Sequence, residues 1–260
     1  MFQAKEYVRP SSLEEAYQLC QKRGSIVIGG MMWLKMENII RQTVVDLASL
    51  NLDWIEEDEH EFKIGSMVSL RRLETHARLN QVFDGIFKEC TRHIVGVSFR
   101  NRATVGGSVY GRFGFSDILT CLMALDVQVE LYHRGRMPLN EFLAIPLSPK
   151  NRDILVQIII KKDSRHAAYH TLRKSKTDFP LIACCVADCG EEWKVSVGAR
   201  PKKADAVMIK KEDGANHAEL AKKAASSFSY GTNLRGSADY RAYLAEVLIR
   251  RLMDSLEGGQ

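Results

Sequence analysis

The stretch RNRATVGGSVYGRFGFSD, residues 100–117, holds four glycines, three arginines and one aspartate ahead of an apolar run that predicts a helix from Ile118 to Leu125. A polar segment of this length, built from small residues, is costly to order without a ligand. Its glycine pair, Gly106-Gly107, allows the backbone to approach an anion closely. An ordinary surface loop, in which Asp117 only caps the helix, is the alternative.

A second glycine pair, Gly29-Gly30, directly follows the short apolar run 25–28, which predicts a buried strand. A helical turn over 33–36 and a strand over 43–47 then follow, and this order predicts a small parallel βαβ unit. Amides and a helix start after such a strand can hold a phosphate, although two glycines at the end of a strand more often form a simple tight turn. No lysine follows either pair as in a Walker A loop, and no GxGxxG opens the strand, so neither standard nucleotide motif is supported.

Composition excludes several classes of protein. The 260 residues are 45% hydrophobic and 27% charged, which is typical of a globular chain with one large or two smaller domains. The net charge of +5 is spread along the chain, so we expect no nucleic acid partner. Six cysteines form no CxxC pair, which argues against zinc ribbons and iron–sulfur sites in this chain. With no signal-like N-terminus and no membrane-length apolar run, we expect a reduced, cytoplasmic protein that has no membrane partner.

The second half of the chain predicts strands separated by charged turns, followed by helices. We interpret the strands as an antiparallel meander with one covered face. The predicted strands are 154–160, 167–172, 181–186 and 193–197, and the predicted helices are 216–225 and 239–256. The fold class is therefore α+β, with a boundary in the charged turn 161–165 and domains 1–163 and 164–260.

Four motifs in order along the chain resemble one known family. They are TVGGSV (104–109) with the Ser116-Asp117 helix start, YHTLRK (169–174), DFPL (178–181) and RGSADYR (235–241). Together they resemble the FAD-binding medium subunit of molybdenum hydroxylases, the family of the xanthine dehydrogenase, carbon monoxide dehydrogenase and nicotinate dehydrogenase flavoproteins. The resemblance spans nearly the whole chain.

The resemblance implies a PCMH-type two-part FAD-binding domain followed by a smaller C-terminal domain of antiparallel sheet plus helices. It also implies a set of FAD contacts and no catalytic or metal-binding residue in this chain. Asp117 would accept hydrogen bonds from ribityl or ribose hydroxyls, Leu155 would contact the flavin ring, and Arg173 would place a cation near the flavin. The pyrophosphate would lie against two loops: Ile26, Val27, Ile28, Gly29, Gly30, Met31, Met32 and Trp33 in the first, and Thr104, Val105, Gly106, Gly107 and Ser108 in the second.

The chain departs from the family pattern at two places. Met31-Met32 stands where the family usually has a small polar pair such as Thr-Asp, and 111–115 reads GRFGF where the family often has Ala-Ser-Pro. Lost side-chain hydrogen bonds would each weaken phosphate binding by roughly 1 kcal/mol. Two alternatives therefore stay open, a flavin-free interaction subunit and a stand-alone FAD oxidase.

The resemblance also implies partners, because this chain has no iron–sulfur ligand set and no molybdopterin-binding motif. A large molybdopterin subunit would hydroxylate the substrate, and a small iron–sulfur subunit would carry the electrons through [2Fe–2S] clusters to FAD. The electrons would then pass to NAD+ or another acceptor. The cofactor supplies this chemistry while the protein orients it.

Overall fold

The computed structural model describes residues 1–212 and 216–258. The described residues form twelve strands, β1 (Gln3–Val8), β2 (Ser25–Ile28), β3 (Ile40–Asp46), β4 (Ile55–Glu57), β5 (Glu61–Gly65), β6 (Val127–Leu131), β7 (Gly135–Pro138), β8 (Leu155–Lys161), β9 (Ala167–Arg173), β10 (Pro180–Asp188), β11 (Glu192–Gly198) and β12 (Asp205–Lys210). They also form ten α-helices, α1 (Leu13–Gln21), α2 (Leu70–Thr75), α3 (Ala77–Val82), α4 (Ile86–Thr91), α5 (Val97–Arg100), α6 (Val105–Tyr110), α7 (Asp117–Ala124), α8 (Leu139–Ala144), α9 (His217–Ser226) and α10 (Ala238–Glu257). None of these helices is both long and apolar enough to cross a bilayer. The predicted α+β class is confirmed.

The chain divides into two compact units. The first comprises Met1–Arg72, Val97–Gly111 and Val127–Lys161, and the second comprises Leu73–Gly96, Arg112–Asp126 and Lys162–Gln260. Two internal segments therefore belong to the same unit as the C-terminal region. The division into domains 1–163 and 164–260 stays a prediction.

A three-stranded parallel sheet in the order β1-β3-β2 begins the first unit. Ser12 caps α1 by accepting from the Glu15 amide at 3.1 Å. The helix buries Ala16 and Cys20 against Val45 in one apolar cluster. A 3₁₀ turn over 34–36 connects β2 to β3, which confirms the predicted βαβ unit.

The second sheet of this unit is antiparallel, in the order β4-β5-β8-β6-β7. Strand β8 lies at its centre, where Ile158 is opposite Ile64 on one side and Val129 on the other. The prediction that 154–160 begins the C-terminal meander is therefore wrong. Strand β8 precedes β9 in the sequence but does not pair with it. Both of its edges are hydrogen-bonded to other strands, β5 and β6.

The second unit contains the meander, ordered β12-β11-β10-β9. The first eight residues of β10 are all buried, so this strand is covered on both faces. The prediction of a single covered face is therefore wrong for β10. Ile182, Cys184 and Val186 belong to one cluster with α9 and α10 residues. The alternate residues point to the opposite side, where α7 also packs against β10. All eight residues of α7 are buried. Strand β12 was not predicted.

Candidate cofactor site

The first glycine loop leaves the carboxyl end of β2, whose residues Ile26, Val27 and Ile28 pair with β3. Met31 adopts a left-handed φ of 58°, which is uncommon for a residue other than glycine. A left-handed residue in a loop turns neighbouring amides toward one side, an arrangement that binds anions. In the described parts of the chain, no group accepts a hydrogen bond from the amides of Gly29, Gly30, Met31 or Met32.

The two glycine loops pack directly against each other within the first unit. A Cβ on Gly30 would lie 1.6 Å from the Arg102 carbonyl oxygen, and a Cβ on Gly29 would lie 2.6 Å from Thr104 Oγ1. At position 30 only glycine tolerates this contact, because the Arg102 carbonyl is backbone and cannot withdraw as a flexible side chain can. The structure therefore brings together the two loops that the sequence placed about seventy residues apart.

The second loop uses its own amides internally. Gly106 N–H donates to the Ser66 carbonyl at 2.9 Å, and Gly107 N–H donates to Thr104 Oγ1 at 3.1 Å. Ser108 N–H donates to the Thr104 carbonyl at 3.1 Å, while Val105 is buried. The phosphate contact predicted for the Gly106 and Gly107 amides thus competes with bonds already made in the chain.

Thr104 retains one donor that suits an anion. Its Oγ1 accepts from Gly107, and no acceptor for its hydroxyl proton is present among residues 1–212 and 216–258. The hydroxyl lies beside Gly29, because a Cβ there would almost touch it. One hydroxyl and four amides that no described residue engages, at the contact of two glycine loops, fit a diphosphate, which needs donors without bulky side chains. The available donors of the first loop are backbone amides, which Met31 and Met32 carry as any non-proline residue does.

In the second unit, Asp117 is engaged by two donors. Its Oδ1 accepts from Tyr169 Oη and from Arg173 Nη2, both at 2.5 Å. The side chains of Asp117 and Arg173 are only 5% and 7% exposed, so this ion pair is shielded from water. Burial raises the pKa of Asp117, although the Arg173 charge and the Tyr169 hydrogen bond oppose that rise. Burial and the Asp117 charge raise the pKa of Tyr169 well above its ordinary value, so the phenol is a proton donor at neutral pH.

Asp117 is not the residue that caps its helix. Ser116 is the N-cap of α7 and accepts from the Leu119 amide at 3.1 Å, which places Asp117 at the first helical position. The carboxylate therefore does not cap the helix, and besides its own backbone N–H its partners are the side chains of Tyr169 and Arg173. The reading of Asp117 as a simple cap does not describe the structure.

The segment 111–115, where the chain departs from the family pattern, makes close contacts within the second unit. Gly114 permits backbone approach, because a Cβ there would be 3.3 Å from the Lys202 nitrogen. Phe115 lies 5.2 Å from the Phe113 ring and 4.3 Å from the Phe179 ring, measured between centroids. Arg235 stacks on Phe179 at 4.8 Å. The aromatic side chains of the altered segment therefore pack against each other and against Phe179.

Two further predictions concern single residues. Leu155 begins β8 opposite Leu131 and is 4% exposed, so its predicted contact with the flavin ring stays a prediction. Arg173 is present as a buried cation, but it is paired with Asp117. Within the described residues there is no group of three or more metal-ligating side chains.

Tyr169 is the site residue that sequence reasoning missed. It lies four residues before Arg173 on β9, and residues at even spacing share one face of a strand. That periodicity could have placed both residues beside the same partner. Only the packing of α7 on this sheet identifies the partner as Asp117.

Comparison with known proteins agrees with these observations. Residues 1–161 match the family model described as the FAD binding domain in molybdopterin dehydrogenase. The chain is 23% identical over 252 residues to the uncharacterized protein YgfM of Escherichia coli K12, covering 95% of this chain and 94% of that protein. It is 27% identical over 268 residues to the nicotine 6-hydroxylase medium subunit of Paenarthrobacter nicotinovorans, covering 94% of each.

A solved structure shares the fold. The chain superimposes with a TM-score of 0.83 and 21% identity on a chain of carbon monoxide dehydrogenase from Hydrogenophaga pseudoflava, in a form lacking the Mo-pyranopterin moiety of the molybdenum cofactor. The match covers 96% of both chains. It confirms the two-part architecture followed by a C-terminal sheet and helices.

Proposed function

Because the chain belongs to the family of FAD-binding domains in molybdopterin dehydrogenases, we propose that it is the FAD-carrying subunit of a molybdenum hydroxylase. The observation that carries the proposal is the contact between the two glycine loops. There, Gly29 lies beside the Thr104 hydroxyl, and the amides of 29–32 have no acceptor within the described part of the chain. This donor set suits the two phosphates of FAD.

Residue roles follow from this donor set and from the family resemblance. The loop 26–33 binds the pyrophosphate through its backbone amides, and the Thr104 hydroxyl donates a hydrogen bond to a phosphate oxygen. In the second loop, Val105 to Ser108 orient Thr104 and leave room for the phosphate. Asp117 accepts a hydrogen bond from a hydroxyl of the ribityl chain or ribose. Leu155 contacts the flavin ring, and Arg173 places a cation near the flavin.

FAD, when bound, would accept electrons from [2Fe–2S] clusters on a partner and pass them to NAD+ or another acceptor. The partners are a large molybdopterin subunit and a small iron–sulfur subunit. This assignment is supported by the relative named as a medium subunit and by the similarity to a chain of carbon monoxide dehydrogenase. The protein itself contributes binding and orientation of the cofactor.

We place this complex in the cytoplasm. All six cysteines are free, and five of them are buried. Burial raises the pKa of Cys20 to about 11 and also raises that of Cys184, so these thiols act as small apolar residues. Free thiols in this number are typical of a reducing compartment.

The direct test is the visible spectrum and FAD content of the purified chain, before and after incubation with added FAD. We expect a yellow protein with flavin absorption. The variant Gly107→Val should lose FAD, because its side chain would extend beside the Thr104 hydroxyl, where a Gly107 Cβ meets no other atom within 4 Å.

Gly96→Val is the matched control, since a Cβ on Gly96 meets no atom within 4 Å and the site does not include it. This variant should keep its FAD. A colourless chain that takes up no added FAD would overturn the proposal and favour a flavin-free interaction subunit. Unchanged FAD in Gly107→Val would remove the second loop from the phosphate site.

A further inference from the structure

The two side-chain donors to the buried Asp117 carboxylate share one of its oxygens. Tyr169 and Arg173 both donate to Oδ1, at 2.5 Å each. The Arg173 guanidinium does not grip both carboxylate oxygens, because its Nη1 donates instead to the Asp178 carbonyl at 2.5 Å. Among the described residues, no side chain donates to Oδ2, and the remaining donor to this carboxylate is the backbone N–H of Asp117 itself.

This arrangement is rigid. Asp117 begins α7, whose first turn is fixed by the Ser116 cap and by the Thr120 hydroxyl, which donates to the Ser116 carbonyl at 2.9 Å. Tyr169 is 7% exposed and sits on a strand paired with the central strand β10. A carboxylate held by a strand and a helix start loses little conformational freedom when it accepts a ligand.

We propose that Tyr169 is a positioning residue which, together with Arg173, saturates Oδ1 of Asp117 and so reserves Oδ2 for one hydroxyl of the bound cofactor. The inference rests on the proposed function, since the cofactor supplies the hydroxyl. Without the phenol, only Arg173 Nη2 holds the carboxylate from a side chain, so the Asp117 side chain can rotate and present either oxygen to Nη2. Oδ2 would then be engaged within the protein.

A variant pair tests this role. Tyr169→Phe removes only the phenolic oxygen. Tyr230→Phe is the matched control, because the Tyr230 hydroxyl donates to the Ala225 carbonyl at 2.9 Å in the same unit, within the apolar cluster of α9 and α10. FAD dissociation constants are measured by flavin fluorescence on the full chain. We expect Tyr169→Phe to weaken FAD binding about tenfold, as for one hydrogen bond to a charged group. Tyr230→Phe should leave it unchanged.

A structural role alone would weaken every flavin equally, so the decisive readout is a panel of FAD analogues, each lacking one ribityl or ribose hydroxyl. For the analogue that lacks the hydroxyl bound by Oδ2, wild type and Tyr169→Phe should bind with equal affinity. A tenfold loss that is the same for FAD and for every analogue would overturn the positioning role. So would unchanged FAD affinity in Tyr169→Phe.

The background Asp117→Asn separates failure of the inference from failure of the proposed function. If the wild type binds no FAD, both fail. If it binds FAD and Asp117→Asn weakens it, adding Tyr169→Phe should cause no further loss, because two residues that act through one contact are not additive. A further tenfold loss in the double variant would overturn the inference alone. If Tyr169→Phe does not fold by itself, Asp117→Asn can still be compared with the double variant. The double variant removes the Tyr169 hydroxyl together with the Asp117 charge that accepts its hydrogen bond, so no buried charge is left without its donor.

Discussion

Replacing Thr104 with valine removes a hydroxyl that has two roles and keeps the shape of the side chain. The oxygen caps α6 by accepting from the Gly107 amide at 3.1 Å. Loss of a cap costs about 1 kcal/mol of stability, which lowers Tm by roughly 2–4 °C in a protein of this size. The same hydroxyl is the proposed phosphate donor, and one hydrogen bond to a charged acceptor is worth about 1.5–3 kcal/mol. We therefore expect FAD to bind roughly 10- to 100-fold more weakly.

The assay separates these roles by pairing two measurements on each variant. Thermal unfolding of the apo chain reports the cap, and titration with FAD reports the phosphate contact. Ser12→Ala is the matched control, because Ser12 caps α1 in the same unit with the same distance of 3.1 Å to the Glu15 amide. It should lose similar stability and keep its FAD affinity. Thr104→Ser keeps the hydroxyl and should retain both properties.

Two outcomes would refute this reasoning. If Thr104→Val binds FAD as the wild type does, the hydroxyl does not contact a phosphate. If Ser12→Ala loses as much FAD affinity as Thr104→Val, the weaker binding follows from lower stability and not from a missing donor.

Two further predictions concern loop packing and pH. Gly30→Ala places a Cβ 1.6 Å from a carbonyl oxygen of the other loop, so we expect about 1–3 kcal/mol lower stability in chemical denaturation and loss of FAD. Gly96→Ala, in open space, should change stability by less than about 0.5 kcal/mol; equal effects would contradict the packing argument. Burial lowers the pKa of His217, but its bonds to Asp254 and Glu257 outweigh that effect and raise the pKa above 6.5. This stabilisation is present below pH 6.5 and lost as pH rises through the raised pKa, so His217→Gln should remove its share of the decline in stability above pH 6.5. An unchanged decline would contradict it.

Local sequence signals predicted most of the regular elements. The strand and glycine pair at 25–30, the turn before β3 and the helix that follows Ser116 occur in the structure as the pattern indicates. Helices α9 and α10 also lie within one residue of their predicted ends. These elements depend on short-range periodicity and capping, which a single sequence records.

Pairing between distant strands was harder to predict. Strand β8 was assigned to the C-terminal meander because it precedes β9, yet it pairs with β5 and β6. Its apolar residues are compatible with either neighbour. Which strands pair with the two edges of β8 is decided only when the whole sheet has assembled.

The site shows the same distinction. The sequence identified Gly106-Gly107 as the richer loop and treated Gly29-Gly30 as the atypical one. The structure assigns the Gly106 and Gly107 amides to bonds within the chain and leaves those of 29–32 unengaged among the described residues. Hydrogen-bond partners such as the Ser66 carbonyl come from distant segments, so loop composition alone could not reveal them.

By itself, the sequence determined the α+β class, the family and the identity of the two glycine loops, because composition, periodicity and ordered motifs are local properties of the chain. Tertiary structure alone decided that the loops touch, that the Thr104 hydroxyl lies beside Gly29 and that Tyr169 joins Arg173 on Asp117. The physical reason is that a hydrogen bond or a close backbone contact depends on distances between residues far apart in sequence. Those distances exist only once the strands and helices have packed.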